Sequence, residues 1–310
     1  MANLKNIIAH KEISYLLREK TFVYAVFIFI AMAILSTIIW WSTQHTVITV
    51  YDYASNLIKS LWQIPPVLTL KSESSLLIVK NMIIYNTLIA TLVVLIMWYY
   101  IWMNDRIANV IKLIFTRPIR KYELFLWKAI AIISSLFILI LASFIITDIS
   151  LMIFGAFSTV NLLNVLWFYA LSFIYVLWFW FIGLGFSYIA KDSWNALLYS
   201  LIIWIIITFV LPELSSALNP TNSLNPVLPN TNILQSSPLQ TIHNLSFPFS
   251  VSEHYKNISS ELIWISDPTA PNYYKNDFYD ISVLIIWMIL SFTFAIVWIN
   301  KLDASNWDIS

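Results

Sequence analysis

The chain has 310 residues, 60% of them hydrophobic and 11% charged, with a net charge of +1 and no cysteine. A soluble domain carries roughly one quarter charged residues, so this composition cannot face water on all sides and needs lipid as part of its solvent. It excludes disulfides, thiol catalysis and thiolate metal sites, and the near-zero net charge leaves no global field to draw nucleic acid.

Residues 1–20 read as an amphipathic helix on the inner leaflet. Leu4, Ile7, Ile8, Ile13, Leu16 and Leu17 supply the apolar positions; Lys5, Lys11, Glu12, Arg18, Glu19 and Lys20 supply the polar ones. No cleavable signal peptide is expected, because the first 20 residues stay polar and charged. A membrane-spanning helix needs about 20 apolar residues without charge. The chain offers this at 21–41, 81–103, 129–147, 163–189, 193–211 and 281–300. The expected fold class is therefore an all-α polytopic membrane protein with six transmembrane helices in a single transmembrane domain. All 11 prolines fall outside these ranges, and Pro212 is expected to stop the fifth helix. The apolar stretch 149–160 is expected to lie at the outer interface. None of the six spans holds an internal charge, which counts against an ion-coupled secondary transporter. Gly183 and Gly185, two of the three glycines, read as sites of close helix packing.

Placing both termini in the cytoplasm puts twelve of the 17 lysines and arginines on the inner side, in shorter segments, as the positive-inside rule asks. Two long segments then face outward. The first is 42–80. The second, 212–280, holds eight of the 11 prolines and six acids against two lysines, and reads as an ordered external cap with short helices. Asn244-Leu-Ser and Asn257-Ile-Ser within it match the glycosylation acceptor pattern. His10, His45, His243 and His254 form no metal-ligand spacing, so no metal site is expected and a membrane enzyme is a weak reading. A loop histidine such as His243 or His254 reads as solvated.

The inner loop from Asn104 to Lys128 carries six Lys or Arg and two acids. Ile107, Val110, Ile111, Ile114 and Phe115 recur at helical spacing and predict a short surface helix ending before Pro118. Leu113-Ile114-Phe115-Thr116-Arg117-Pro118-Ile119-Arg120-Lys121, with Asp105 before it and Lys128 after it, resembles the loop between the second and third spans in permease subunits of type-2 ABC exporters. Asn109 replaces that family's glycine and Ala108 a frequent acid. The resemblance implies that 104–121 is a coupling helix. In that role Asp105, Arg106, Asn109, Lys112, Thr116, Arg117, Pro118, Arg120 and Lys121 would contact a partner. It implies two separate ABC ATPase subunits that carry ATP and Mg, and a second permease subunit, identical or different. It also implies a prokaryotic cell-membrane location among lipid. The chain itself would bind no cofactor: its three glycines cannot form a GxxxxGK[ST] phosphate loop in any register. Scarce Gly and Cys are compatible with a thermophilic source, although an AT-rich genome also enriches Ile and Asn. A non-transporting scaffold or sensor subunit would share the same hydropathy and basic loop.

Overall fold

The computed structural model describes residues 14, 17–65, 78–107, 121–154, 162–190, 193–215, 237–263 and 277–300. Among them the structure is helical, with no strand. Helix α1 spans Lys20–Ser60. Helix α2 is continuous over 80–107, built from Lys80–Tyr85, a wider π-helical turn at Asn86–Ala90, and Thr91–Ile107. Helix α3 spans Lys121–Ile153 and α4 spans Leu162–Ile189. Helix α5 covers 193–215 as Ser193–Ile205, a second π turn at Ile206–Val210, and Leu211–Ser215. Then follow α6 (Ser237–Ser246), a 3-10 turn at Phe247–Phe249, α7 (Val251–Leu262) and α8 (Asp277–Asn300).

Five helical stretches are long and apolar enough to cross a bilayer: Lys20–Ser60, Lys80–Tyr99, Lys128–Ile153, Leu162–Ile189 and Phe278–Asn300. A shorter apolar stretch, Trp194–Val210, lies in α5. Helix α4 is the hub. It is apolar around its whole circumference, as a fully enclosed helix must be, and it buries residues on every face, from Val165 to Tyr188. Helices α2, α3, α5, α7 and α8 all pack against it, while α1 packs on α3 and the start of α2.

Glycine sets the closest approaches. At Gly185 an added Cβ would lie 2.3 Å from the Phe294 ring on α8; at Gly183 it would lie 3.3 Å from Trp98 on α2. Both positions let an aromatic ring rest directly on the α4 backbone.

Several sequence expectations need correction. The first helix does not end at Trp41. No proline or glycine interrupts the chain before Pro65, and Thr43, Thr46 and Thr49 each donate 2.8 Å hydrogen bonds to carbonyls four residues earlier, so the helix runs on to Ser60. It closes with a Schellman pattern in which Trp62 N–H bonds Lys59 O and Gln63 N–H bonds Ile58 O. Trp62 holds the left-handed position at φ 57°, which costs a non-glycine residue about 1–2 kcal/mol. The third helix takes in 149–153 as its own last turn instead of leaving them at an interface, because no breaker precedes Gly155. Asp148 is consequently a charge inside that helix.

Pro212 does not stop α5. A proline displaces the carbonyl four residues back, and the π turn immediately before it already moves that ladder to a five-residue register: Leu211 N–H bonds Ile206 O. The helix therefore continues to Ser215. Finally, within 212–280 residues 251–256 are all buried, and α8 begins at Asp277 instead of 281.

We expect Gly185→Ala to lower stability by about 1–3 kcal/mol through overpacking and Gly183→Ala by less, read as midpoints of thermal unfolding in detergent. Phe294→Leu in the Gly185→Ala background should recover part of the loss. An unchanged midpoint for Gly185→Ala would contradict the close approach.

Candidate functional site

The pair α6–α7 forms a hairpin that enters the bundle and returns, and three contacts set its depth. Near its exit, Asn164 Nδ2 at the start of α4 donates to Leu262 O at 3.2 Å. At the base of α7, Ser252 Oγ meets the Tyr175 hydroxyl at 3.0 Å, halfway along α4. At the turn itself, Trp287 Nε1, near the middle of α8, donates to Pro248 O at 3.3 Å. From Asn164 to Tyr175 is eleven residues, or about 16 Å of helix, so the hairpin reaches mid-depth among helices that cross a bilayer.

A 12-residue helix full of polar side chains enters such a place only if those groups find partners. Val251, Tyr255 and Ile258 supply the apolar contacts. The polar groups form a compact foot. Asn86 Nδ2, on the π turn of α2, donates to Ser172 Oγ at 3.0 Å and to the Tyr255 hydroxyl at 3.1 Å. Ser172 and Tyr255 are themselves 2.8 Å apart. The Tyr175 and Tyr255 rings stack at 4.3 Å and 10°. The Tyr255 hydroxyl, a phenol, can donate and accept within this network.

On the α5 side, Pro212 has no N–H to offer the carbonyl of Ile207, which the five-residue register places behind it. Ser252 Oγ donates to that carbonyl at 3.1 Å. The side chain of α7 thus replaces a backbone donor that proline removed. Trp204 Nε1 adds a cross-link from α5 to Thr91 Oγ1 on α2 at 2.9 Å. Both π turns therefore meet the hairpin through hydrogen bonds, which fits the tendency of such turns to occur at functional positions.

Charged groups brace the same hairpin. His254 is fully buried, with Nδ1 at 2.5 Å from Asp280 Oδ1 on α8 and Nε2 at 2.9 Å from Phe247 O in the turn. Both ring nitrogens face oxygens, so neither is left without a hydrogen-bond partner. The expectation of a solvated His254 is thereby overturned. Lys256 Nζ and Glu253 Oε1 form a second buried pair at 2.7 Å. Burying the Glu253–Lys256 pair is costly, and removing either partner would leave an uncompensated charge, a loss of about 3–5 kcal/mol.

The proposed partner-contact residues fall elsewhere. Asn109, Lys112, Thr116, Arg117, Pro118 and Arg120 lie outside the described residues. The backbones of Asp105 and Arg106 close α2 and that of Lys121 opens α3; their side chains also lie outside. Asn244 is exposed on α6, while Asn257 is half-buried on α7. No group of three or more His, Asp or Glu suited to a metal occurs among the described residues.

A family model for the ABC-2 family transporter protein matches residues 6–304. The chain belongs to the ABC-2 transporter family. No curated protein matches it. Membership makes it a membrane protein of ABC-2 permease type and accounts for the bundle. In this member of the ABC-2 family, the hairpin before the last helix brings Glu253, His254 and Lys256 into the interior.

We expect Ser252→Ala to cost about 1–3 kcal/mol, because it leaves the buried Ile207 carbonyl without a donor. In a Pro212→Ala background the restored N–H can serve that carbonyl, and the cost of Ser252→Ala should fall by about 1 kcal/mol. Equal costs in both backgrounds, measured by thermal or denaturant unfolding, would contradict this role for Ser252.

Proposed function

We propose that the chain is the membrane-spanning permease subunit of an ATP-driven exporter. It pairs with a second permease subunit, and two separate ABC ATPase subunits dock on the side holding both termini, which is cytoplasmic by its excess of Lys and Arg. ATP and Mg belong to those partners. The segment 104–121 receives closure of the ATPase pair. Asp105, Arg106, Asn109, Lys112, Thr116, Arg117, Pro118, Arg120 and Lys121 are its contact residues. On this reading there are six spans, the 17-residue apolar stretch in α5 being completed by its last turn.

One observation carries the coupling. Helix α2 is a single helix from Lys80 to Ile107. One end runs into the basic segment, and Asn86, 21 residues away, holds the foot of the hairpin. Those 21 residues are about 32 Å of continuous helix. A tilt imposed at Ile107 therefore reaches Ser172 and Tyr255 without passing through a loop. Asn86 Oδ1 is buried and has no hydrogen-bond partner among the described residues. Such a partly satisfied network holds the hairpin less tightly than a complete one would, which suits an element that shifts during turnover. The hairpin closes the outer half of the pathway at rest and yields when α2 tilts.

Copurification with ATPase subunits tests the docking side. The wild-type chain should recover an ATPase and the Arg117→Glu, Arg120→Glu, Lys121→Glu triple variant should lose it. Retention by the triple variant would remove 104–121 as the contact; recovery by neither, from folded protein, would remove the exporter reading. Asn86→Val should leave ATPase recovery intact and change the rate of ATP turnover by severalfold. An unchanged rate would disconnect α2 from the hairpin.

A further inference from the structure

The second half of α1 runs on past its described neighbours. Trp40 and Trp41 lie against Phe154, at the end of α3, with ring centroids 6.2 and 6.1 Å apart. Just below, Ser36 Oγ donates to Ile78 O beside the start of α2, at 2.7 Å. Among the described residues, these contacts mark the end of α3 and the start of α2. Residues 42–60 continue beyond them by about 28 Å. All 41 residues of α1 together run about 62 Å, against about 30 Å of hydrocarbon and 40–45 Å of whole bilayer.

This projecting rod is not polar all round. Gln44, Val47, Tyr51 and Ile58 are half-buried and Ser55 is buried, so one side faces the rest of the molecule. Val50, Tyr53, Leu57 and Leu61, spaced three and four residues apart, form an exposed apolar stripe on another side. The only two charges between residues 42 and 64, Asp52 and Lys59, sit about 145–165° around the helix from its centre. The rod ends in Trp62 and Ile64, which are 98% and 95% exposed. Trp62 occupies the left-handed capping position that glycine fills most easily, so a large aromatic is kept at the tip against the local backbone preference.

We infer that this stripe is a docking surface for a second copy of the same chain, the two rods pairing side by side above the membrane. The inference rests on the reading that two permease subunits pair, and it adds that they are identical and touch outside the bilayer. Lipid cannot cover the stripe, because it stands beyond the membrane. Two copies inserted in one membrane point the same way and stand at the same height, so their stripes meet in register about a two-fold axis. An uncharged stripe with both charges on the far side complements itself without like-charge contact, whereas an oppositely charged partner would find nothing there to pair with. A short seam suffices because the membrane already holds the subunits together and makes the second contact intramolecular in effect.

The chain has no cysteine, so single substitutions report cleanly. Val50→Cys and Leu57→Cys would be compared with Asp52→Cys and Lys59→Cys by oxidative crosslinking of the full chain in native membranes, alongside the mass of the purified wild-type complex by light scattering. The expected result is a product of twice the chain's mass, at least 5-fold more abundant from the stripe positions. Equal yields at all four positions, no dimer product, or a product with a different chain overturns the inference. A complex holding two copies with no stripe crosslink removes the rod contact and leaves paired permeases standing. A complex with a single copy removes the rod contact and, with it, the pairing of identical subunits.

Discussion

Ser252 Oγ on the Ile207 carbonyl is the contact on which the interior depends. Backbone groups in a bilayer must be satisfied within the protein, and Pro212 removes a donor from α5 where no water replaces it. The π turn shifts the ladder so that the helix survives the proline, and the orphaned carbonyl then needs a donor from another element. Helix α7 supplies it, and this ties the hairpin to the middle of the bundle. The remaining partners follow from that position: Tyr175 on Ser252, Tyr255 on Ser172 and Asn86, and His254 on Asp280.

The same arrangement explains why a sequence so poor in charge places four charged or ionisable side chains in its core. Glu253, His254, Lys256 and Asp280 are each at most 5% exposed. They sit in two close pairs, His254 with Asp280 and Glu253 with Lys256, on one short helix and the helix it packs against. Buried ion pairs contribute little net stability but penalise every misaligned alternative, so they set register. A hairpin held by register and by a partly satisfied polar foot is well placed but not immovable. The continuous α2 gives a tilt at one membrane face a mechanical route to that foot.

Much of the fold was legible in the sequence. Long uncharged apolar runs require a helix to bury their backbone, so an all-helical membrane protein and the glycine contacts of α4 could be read directly. The basic segment after α2 and its resemblance to ABC-2 permeases pointed to the family. Two of the errors share one cause: local rules were applied where neighbours decide. Pro212 breaks an ordinary helix, but not one whose register has already widened and whose freed carbonyl finds Ser252. Val251-Ser-Glu-His-Tyr-Lys-Asn looks like a water-facing loop by composition, yet Val251, Tyr255, Ile258 and Leu262 repeat at helical spacing, a signal that could have marked a helix with a core to enter. Asn86, Ser172 and Tyr175 carried no separate signal, because an isolated polar residue in an apolar run shows its partner only in three dimensions.

Hydrogen–deuterium exchange on the complex in lipid discs tests the central claim, that residues 250–256 belong to the interior of the bundle. Protection follows burial and cooperative packing, and a short helix lying in water has little. Peptides over 250–256 should exchange as slowly as those from the middle of α4, and speed up when the ATPase partners are trapped with ATP. Exchange complete within seconds in the resting complex, at the rate of an external loop, would contradict it.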